Sequence, residues 1–197
     1  MVTTPAVRIA VAGTHSTGKT TLLRRLEMEL RATGRTVART PASFAAKAAE
    51  LGFPKLQKQT PECTEWIIAA SAAAAAEATL HADVVLVDRS ALDPVAYYLA
   101  ALERSGQEPD PEVIERLVDL VKAQCAGYSA LVATVLDLDV PLGRHRDRDL
   151  EYRAAVDRHL HALLADHQIP HQRITGPDDE RVVLASLVAL GAGQVAA

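Results

Sequence analysis

Two glycines, a lysine and a hydroxyl fall at one spacing near the start of the chain, in Gly13-Thr14-His15-Ser16-Thr17-Gly18-Lys19-Thr20. This is the G-x-x-x-x-G-K-[ST] pattern of a phosphate-binding loop. Glycine at both positions permits backbone dihedrals that other residues resist and lets the chain come close to a ligand. Successive backbone N–H groups, with the positive end of a following helix, then form a cradle for an anion. In such a cradle Lys19 reaches the outer phosphates, and the Thr20 hydroxyl ligates the Mg²⁺ that accompanies them. The same residues could form a glycine-bearing turn that binds nothing. Their context argues against that, because the apolar run Val7 to Ala12 leads in and Thr20-Thr21-Leu22-Leu23 starts a helical pattern behind. The expected ligand is a nucleoside triphosphate, held by Gly13, Thr14, His15, Ser16, Thr17, Gly18, Lys19, Thr20 and Thr21.

Asp88 closes the apolar run Val84-Val85-Leu86-Val87, where a phosphate-loop protein needs a carboxylate facing Mg²⁺ or an attacking hydroxyl. Asp also favours turns after strands, so a plain capping role is the alternative. Arg89, next in the chain, could contact a phosphate or the substrate, or make an ordinary ion pair. A second cluster, Arg144 to Arg153 (RHRDRDLEYR), follows a strand and the turn Val140-Pro141-Leu142-Gly143. A lid over the triphosphate would cross here, and the planar fork of Arg144, Arg146, Arg148 or Arg153 suits phosphate oxygens and developing charge. A solvated helix start with Asp149–Arg153 and Arg153–Asp157 pairs is the competing reading, and it accounts for Arg153 well but Arg144 poorly. At least one of these arginines is expected to touch phosphate.

The seven histidines offer no clear metal site; His159 and His161 lie two apart on a helix and do not share a face. His15 is either a variable loop position or a neighbour of the outermost phosphate.

Placing these residues together requires strands that deliver the loop and Asp88 to one edge. The apolar runs Val7–Ala12, Val84–Val87 and Ala130–Leu136 read as buried parallel strands, with shorter ones at Thr36–Thr40 and Gln172–Ile174. Helices are expected between them. Lys19–Thr33 carries Leu22, Leu23, Leu26 and Leu30 on one face, with Gly34 as its cap. Ser43 caps a helix to Leu51, and Thr60-Pro61-Glu62 opens a long one to about His81 with Trp66, Ile67 and Ala70 packed. Asp93-Pro94 opens another through Ala101, and Glu112–Gln124 shows the stripe Val113, Leu117, Leu120 and Val121. A helix reaching His167 and a last one over Arg181–Leu190 follow, with a frayed tail from Gly191 to Ala197. The expected fold is a three-layer α/β domain over residues 1–197, with a parallel sheet of about five strands, helices on both faces and a lid at about 141–153. Its ligand belongs at the C-terminal ends of the strands.

Composition sets limits. With 197 residues, 49% hydrophobic and 23% charged, the chain is one domain's length and can bury a full core. A net charge of −4 excludes the basic balance of a general nucleic-acid binder. Cys63 and Cys125 lack C-x-x-C spacing and read as buried, reduced thiols. There is no basic-then-apolar leader and no run of about 20 apolar residues, so a cytoplasmic protein without a membrane span is expected.

The loop, the Asp-Arg-Ser strand end and the arginine segment together resemble a known group. In GTHSTGKTTL, TPECTEWIIAASAAAAAEA, VLVDRSALDPVAYYLA, DVPLGRHRDRDLEYRAAVDRHL and HQRITGPDDER the chain is similar to the small AAA-domain P-loop family near the nicotinamide riboside kinase domain of bacterial NAD-synthesis regulators. Nucleoside and thymidylate kinases are more distant relatives. The resemblance implies a P-loop NTPase fold and an ATP- and Mg²⁺-dependent kinase acting on a small hydroxyl-bearing metabolite, a nucleoside or similar acceptor. It makes Lys19, Asp88, Arg89, Arg144 and Arg148 the catalytic candidates and Thr20 and Asp88 the Mg²⁺ candidates, in a monomer or homodimer. One departure concerns the acceptor: relatives carry Glu and then Arg after the second strand, where this chain has Thr40-Pro41-Ala42-Ser43. A nucleotide-hydrolysing switch, or a nucleotide-binding module with degenerate acceptor chemistry, is the rival. The missing N-K-x-D string argues against a GTPase switch.

Overall fold

Strand order explains how distant residues meet. The computed structural model describes residues 5–54, 56–139 and 149–193. Five parallel strands, β1 (Val7–Ala12), β2 (Val37–Arg39), β3 (Val84–Asp88), β4 (Ala130–Thr134) and β5 (Gln172–Ile174), form one sheet in the order β2-β3-β1-β4-β5. The helices are α1 (Lys19–Ala32), α2 (Phe44–Glu50), α3 (Pro61–Ala78), α4 (Leu92–Ser105), α5 (Pro111–Cys125), α6 (Leu150–Asp166) and α7 (Pro177–Gly193), with a short 3-10 turn at Leu56–Lys58. β1 is central and pairs with both β3 and β4, so the chain leaving β1 emerges between the ends of its two neighbours.

The period of two along each strand sorts the core into two layers. Val7, Ile9 and Val11 face α1 and α7 with Val84, Leu86 and Val132. Ala10, Ala12, Val85, Val87, Leu131 and Ala133 face the other way, onto α4, α5 and α6. Small alanines on that side let α4 approach the sheet, and its Leu92, Val95, Ala96 and Ala100 are fully buried. Each large aliphatic side chain so buried contributes about 1.5–3 kcal/mol. This is the expected three-layer α/β fold.

Several local expectations change. On α3 the fully buried residues are Cys63, Thr64, Ile68 and Ala75, while Trp66, Ile67 and Ala70 are half-buried. An alanine-rich helix carries too weak a pattern to fix its rotation. On α5 Leu120 is exposed and Val118 takes its place in the stripe. Ser43 stands at the N-cap of α2 without a capping hydrogen bond from its side chain. The last helix starts at Pro177 rather than Arg181, with Asp178, Asp179 and Glu180 in its first turn where carboxylates suit the helix dipole. It also takes in Gly191–Gly193 at the start of the tail expected to fray, the rest of which lies outside the described residues: Gly191 is buried, and a Cβ there would lie 2.5 Å from Leu30 Cδ2. Cys63 is buried but Cys125 only half-buried, and burial pushes the Cys125 thiol up to about 12.

Among the described residues no helix is long and apolar enough to cross a membrane.

Candidate active site

The loop from Gly13 to Gly18 joins β1 to α1, and its shape depends on three unusual backbone positions. Gly13 has φ 147°, Ser16 φ 60° and Gly18 φ 84°. Gly13 is required by space as well as by conformation, because a Cβ there would fall 2.0 Å from Thr134 Oγ1 at the end of β4. Gly18 meets no such obstruction; its left-handed backbone, at the N-cap of α1, is what calls for glycine. Thr134 Oγ1 donates to the carbonyl of Ala12 at 3.1 Å and lies 2.6 Å from Thr17 Oγ1, so β4 grips both shoulders of the loop. Lys19, only 6% exposed, folds its Nζ back onto the loop, donating to the Thr14 carbonyl and, at 3.3 Å, to Thr17 Oγ1.

The register places Asp88 beside Val11, one residue before the end of β1. Asp88 is 3% exposed and its N–H donates to Thr40 Oγ1 at 3.1 Å, so the end of β2 steadies the end of β3. A cavity of about 200 Å³ is lined by His15 through Thr21, by Asp88 and Arg89, and by Ala42. The structure therefore brings together the loop, both residues of the strand end and one residue of the Thr40–Ser43 segment. Pockets for whole drug-sized ligands run to about 300–1,000 Å³, so this one has the size of the phosphate end of a nucleotide. Thr20 is half-buried on its rim and Thr21 is exposed.

Arg89 does not simply point into this cavity. It has φ 83°, unusual for a residue with a side chain, and its guanidinium lies 5.7 Å over the Tyr97 ring and 3.8 Å from Asp93 Oδ1. His15 is buried against the same tyrosine. Its N–H donates to Tyr97 Oη at 3.1 Å, and the Tyr97 hydroxyl lies 3.0 Å from His15 Nδ1. His15 thus braces the loop against α4.

Arg144, Arg146 and Arg148 lie outside the described residues. Arg153, on the first turn of α6, is described and is 1% exposed. Its Nε donates to the His15 carbonyl at 3.1 Å and its Nη2 to the Ser16 carbonyl at 3.2 Å. A surface pair with Asp149 or Asp157 does not describe it. Burial lowers its pKa from the ordinary guanidinium value. Two buried polar atoms at the loop, Thr14 Oγ1 and Arg153 Nη1, have no hydrogen-bond partner among the described residues. Orphaned donors of this kind are costly unless something polar meets them, and a phosphate oxygen is a suitable partner.

Sequence reasoning missed Tyr97, Thr134 and above all Asp93, a buried carboxylate that takes the Gly13 N–H. The available signal was Ser90-Ala91-Leu92-Asp93, a capping-box spacing that read only as a helix start.

Comparison with known proteins agrees with this geometry. Residues 8–181 match the AAA domain family. No curated protein matches the sequence significantly. Among solved structures the chain is similar to a NadR protein in complex with NR, at 17% identity and TM-score 0.66, covering 95% of this chain and 51% of that one. The chain thus spans about half the length of that NadR protein. It is also similar to a deoxyadenosine kinase from M. mycoides with products dCMP and dCDP bound, at 12% identity and TM-score 0.58, covering 96% and 98% of the two chains. A dATP-bound deoxyadenosine kinase from M. mycoides matches at 13% identity and TM-score 0.58, with 97% and 100% covered. With a loop of this geometry in a five-stranded parallel sheet, and with most of its length matched, the chain belongs to the AAA domain family of P-loop nucleotide-binding proteins.

Proposed function

We propose that this domain is an ATP- and Mg²⁺-dependent phosphotransferase acting on a small hydroxyl-bearing metabolite, of nucleoside or nucleotide-like type. The observation that carries the reading is the shared cavity, in which the phosphate loop and the Asp88-Arg89 strand end line one space. A buried carboxylate beside the loop suits Mg²⁺ held at the outer phosphates and an acceptor hydroxyl set next to them.

In this reading the N–H groups from Ser16 to Thr20 hold the phosphates, and Lys19 exchanges its bond to the Thr14 carbonyl for the outer phosphates. The loop fits such a group, since Gly13 and Gly18 carry its positive-φ backbone and Thr14 Oγ1 and Arg153 Nη1, in and against the loop, are buried donors without a partner among the described residues. Thr20 and Asp88 would hold Mg²⁺, which neutralises charge on the outer phosphates when bound. Asp88 orients or deprotonates the acceptor hydroxyl, and Arg89, steadied by Tyr97, meets the transferring phosphate or the acceptor. Arg144 and Arg148 are the proposed lid arginines. The nucleoside-like acceptor is supported by the fold likeness to a deoxyadenosine kinase and to a NadR protein solved with NR. The cavity is lined at this side by Ala42, where the resemblance leads one to expect a Glu and an Arg nearby, and this favours an acceptor different from theirs.

Asp88→Asn keeps the shape of the wall and removes the charge. It is expected to lower kcat by about 10²–10⁴-fold, the range for loss of a positioned acid or base, while affinity for an ATP analogue stays close to the parent's. Transfer at the parent rate would remove Asp88 from the mechanism.

A further inference from the structure

Asp93 sits in the first turn of α4, and half of its bonding is ordinary. Oδ2 accepts from the Ser90 N–H at 2.9 Å and from the Ser90 hydroxyl at 3.0 Å, which closes a local turn just ahead of the helix. The other oxygen has no part in that turn. Oδ1 accepts from the Gly13 N–H at 3.2 Å, eighty residues away in the chain, and lies 3.8 Å from Arg89 Nη1. Such a turn also works well at the surface, yet Asp93 is 1% exposed. Burial pushes its pKa up, opposed by the charges of Lys19 and Arg89.

The carboxylate stands between two strained backbone segments. On one side is Gly13, with φ 147° and no space for a Cβ. On the other is Arg89, with φ 83°, followed directly by the Ser90 N–H that Asp93 holds. Strained backbone of this kind persists only where its surroundings over-determine it. We propose that Asp93 is a positioning residue that locks the phosphate loop to the Asp88–Ser90 strand end, so that the donor and acceptor halves of the site keep one spacing. This rests on reading the site as a phosphotransferase, because only a transfer reaction needs the two halves in register. Misplacement of reacting groups by about 1 Å can cost on the order of 100-fold in rate.

Asp93→Asn tests this with little change of volume. An amide has one acceptor oxygen, so its NH₂ must oppose either the Gly13 N–H or both Ser90 donors, and one half of the lock opens. The expected result is a fall in kcat of about 10–100-fold with KM for ATP and acceptor within about 3-fold of the parent. Thermal stability should fall, since Arg89 loses its buried partner and one buried donor is left opposed. Faster hydrogen exchange at the Gly13 or Ser90 amide, measured on the unliganded protein, should accompany it. Should Asp93→Asn fail to fold, Ser90→Ala removes one donor only and is expected to lower kcat by about 2- to 10-fold at unchanged KM. Unchanged kcat together with unchanged protection of both amides would overturn the proposal. So would a rate loss carried wholly by KM. Exchange is read without turnover, so it decides the lock even if the parent chain transfers no phosphate, an outcome that sinks the phosphotransferase reading alone.

Discussion

The two ends of the parallel sheet each carry a cavity, and the larger one is the less informative. At the N-terminal ends of β4 and β5 a space of about 630 Å³ is bounded by Lys122, Cys125, Tyr128, Ser129, His167 and His171 among others. Most of its polar side chains are exposed, and none is among the buried polar residues. At the C-terminal ends the cavity is only about 200 Å³, yet His15, Lys19 and Asp88 of its lining are buried, and so are Thr14, Ser90, Asp93, Thr134 and Arg153 in the segments bonded to the loop and the strand end. Burying such groups is unfavourable unless each is paired, and here nearly all are paired to the loop or to the strand end beside it. Volume follows from how helices happen to end. A dense set of buried, mutually bonded polar groups marks the end of the sheet where chemistry belongs.

Substitutions at the two ends should therefore differ sharply. Lys19→Ala at the C-terminal end should lower phosphoryl transfer by at least about 100-fold, as when a preorganised donor to developing charge is lost. A steady-state assay at saturating acceptor checks it, and activity within a few-fold of the parent would dissociate the loop from the reaction. Gly13→Ala forces a Cβ toward Thr134 Oγ1 and a side chain onto a left-handed backbone. A loss of about 1–3 kcal/mol in denaturant unfolding is expected, together with weaker ATP-analogue binding. Pairing it with Thr134→Ala should return part of that loss, because the clash is with the Thr134 side chain; no recovery would place the cost in the backbone alone. At the other end, Lys122→Ala and His167→Ala should each change stability by less than about 0.5 kcal/mol and leave turnover unaltered. A drop in turnover from either would show that the larger cavity contributes to function after all.

The contrast also explains what could be read from the sequence. The loop was legible because its function is local: eight consecutive residues between a strand and a helix carry the whole pattern. Asp88 was legible because an acidic residue ends an uninterrupted apolar run. Asp93 was not, since its distinguishing bond reaches Gly13, and no spacing within Ser90–Asp93 announces a partner eighty residues earlier. Arg153 was misjudged for a similar reason. Its neighbours Asp149 and Asp157 offer i,i+4 pairs, whereas the folded chain gives its guanidinium two loop carbonyls. Helix rotation failed where composition was monotonous, as on α3, and succeeded on α1, whose leucines stand out against charged neighbours. The segment Thr40–Ser43, proposed to face the acceptor, shows the same limit. Its strand end is tied to Asp88 by a threonine hydroxyl, while the identity of the acceptor depends on side chains that meet only in three dimensions.

The proposed sharing of one cavity by a phosphate donor and a hydroxyl acceptor is put to the test by ATP consumption with Mg²⁺ across a panel of nucleosides, nucleotides and sugars, with the products identified by mass. One class of nucleoside-like acceptor is expected to stimulate turnover and gain one phosphoryl group. Slow hydrolysis, the same with every acceptor and with none, would contradict that sharing and leave a nucleotide-hydrolysing switch in its place.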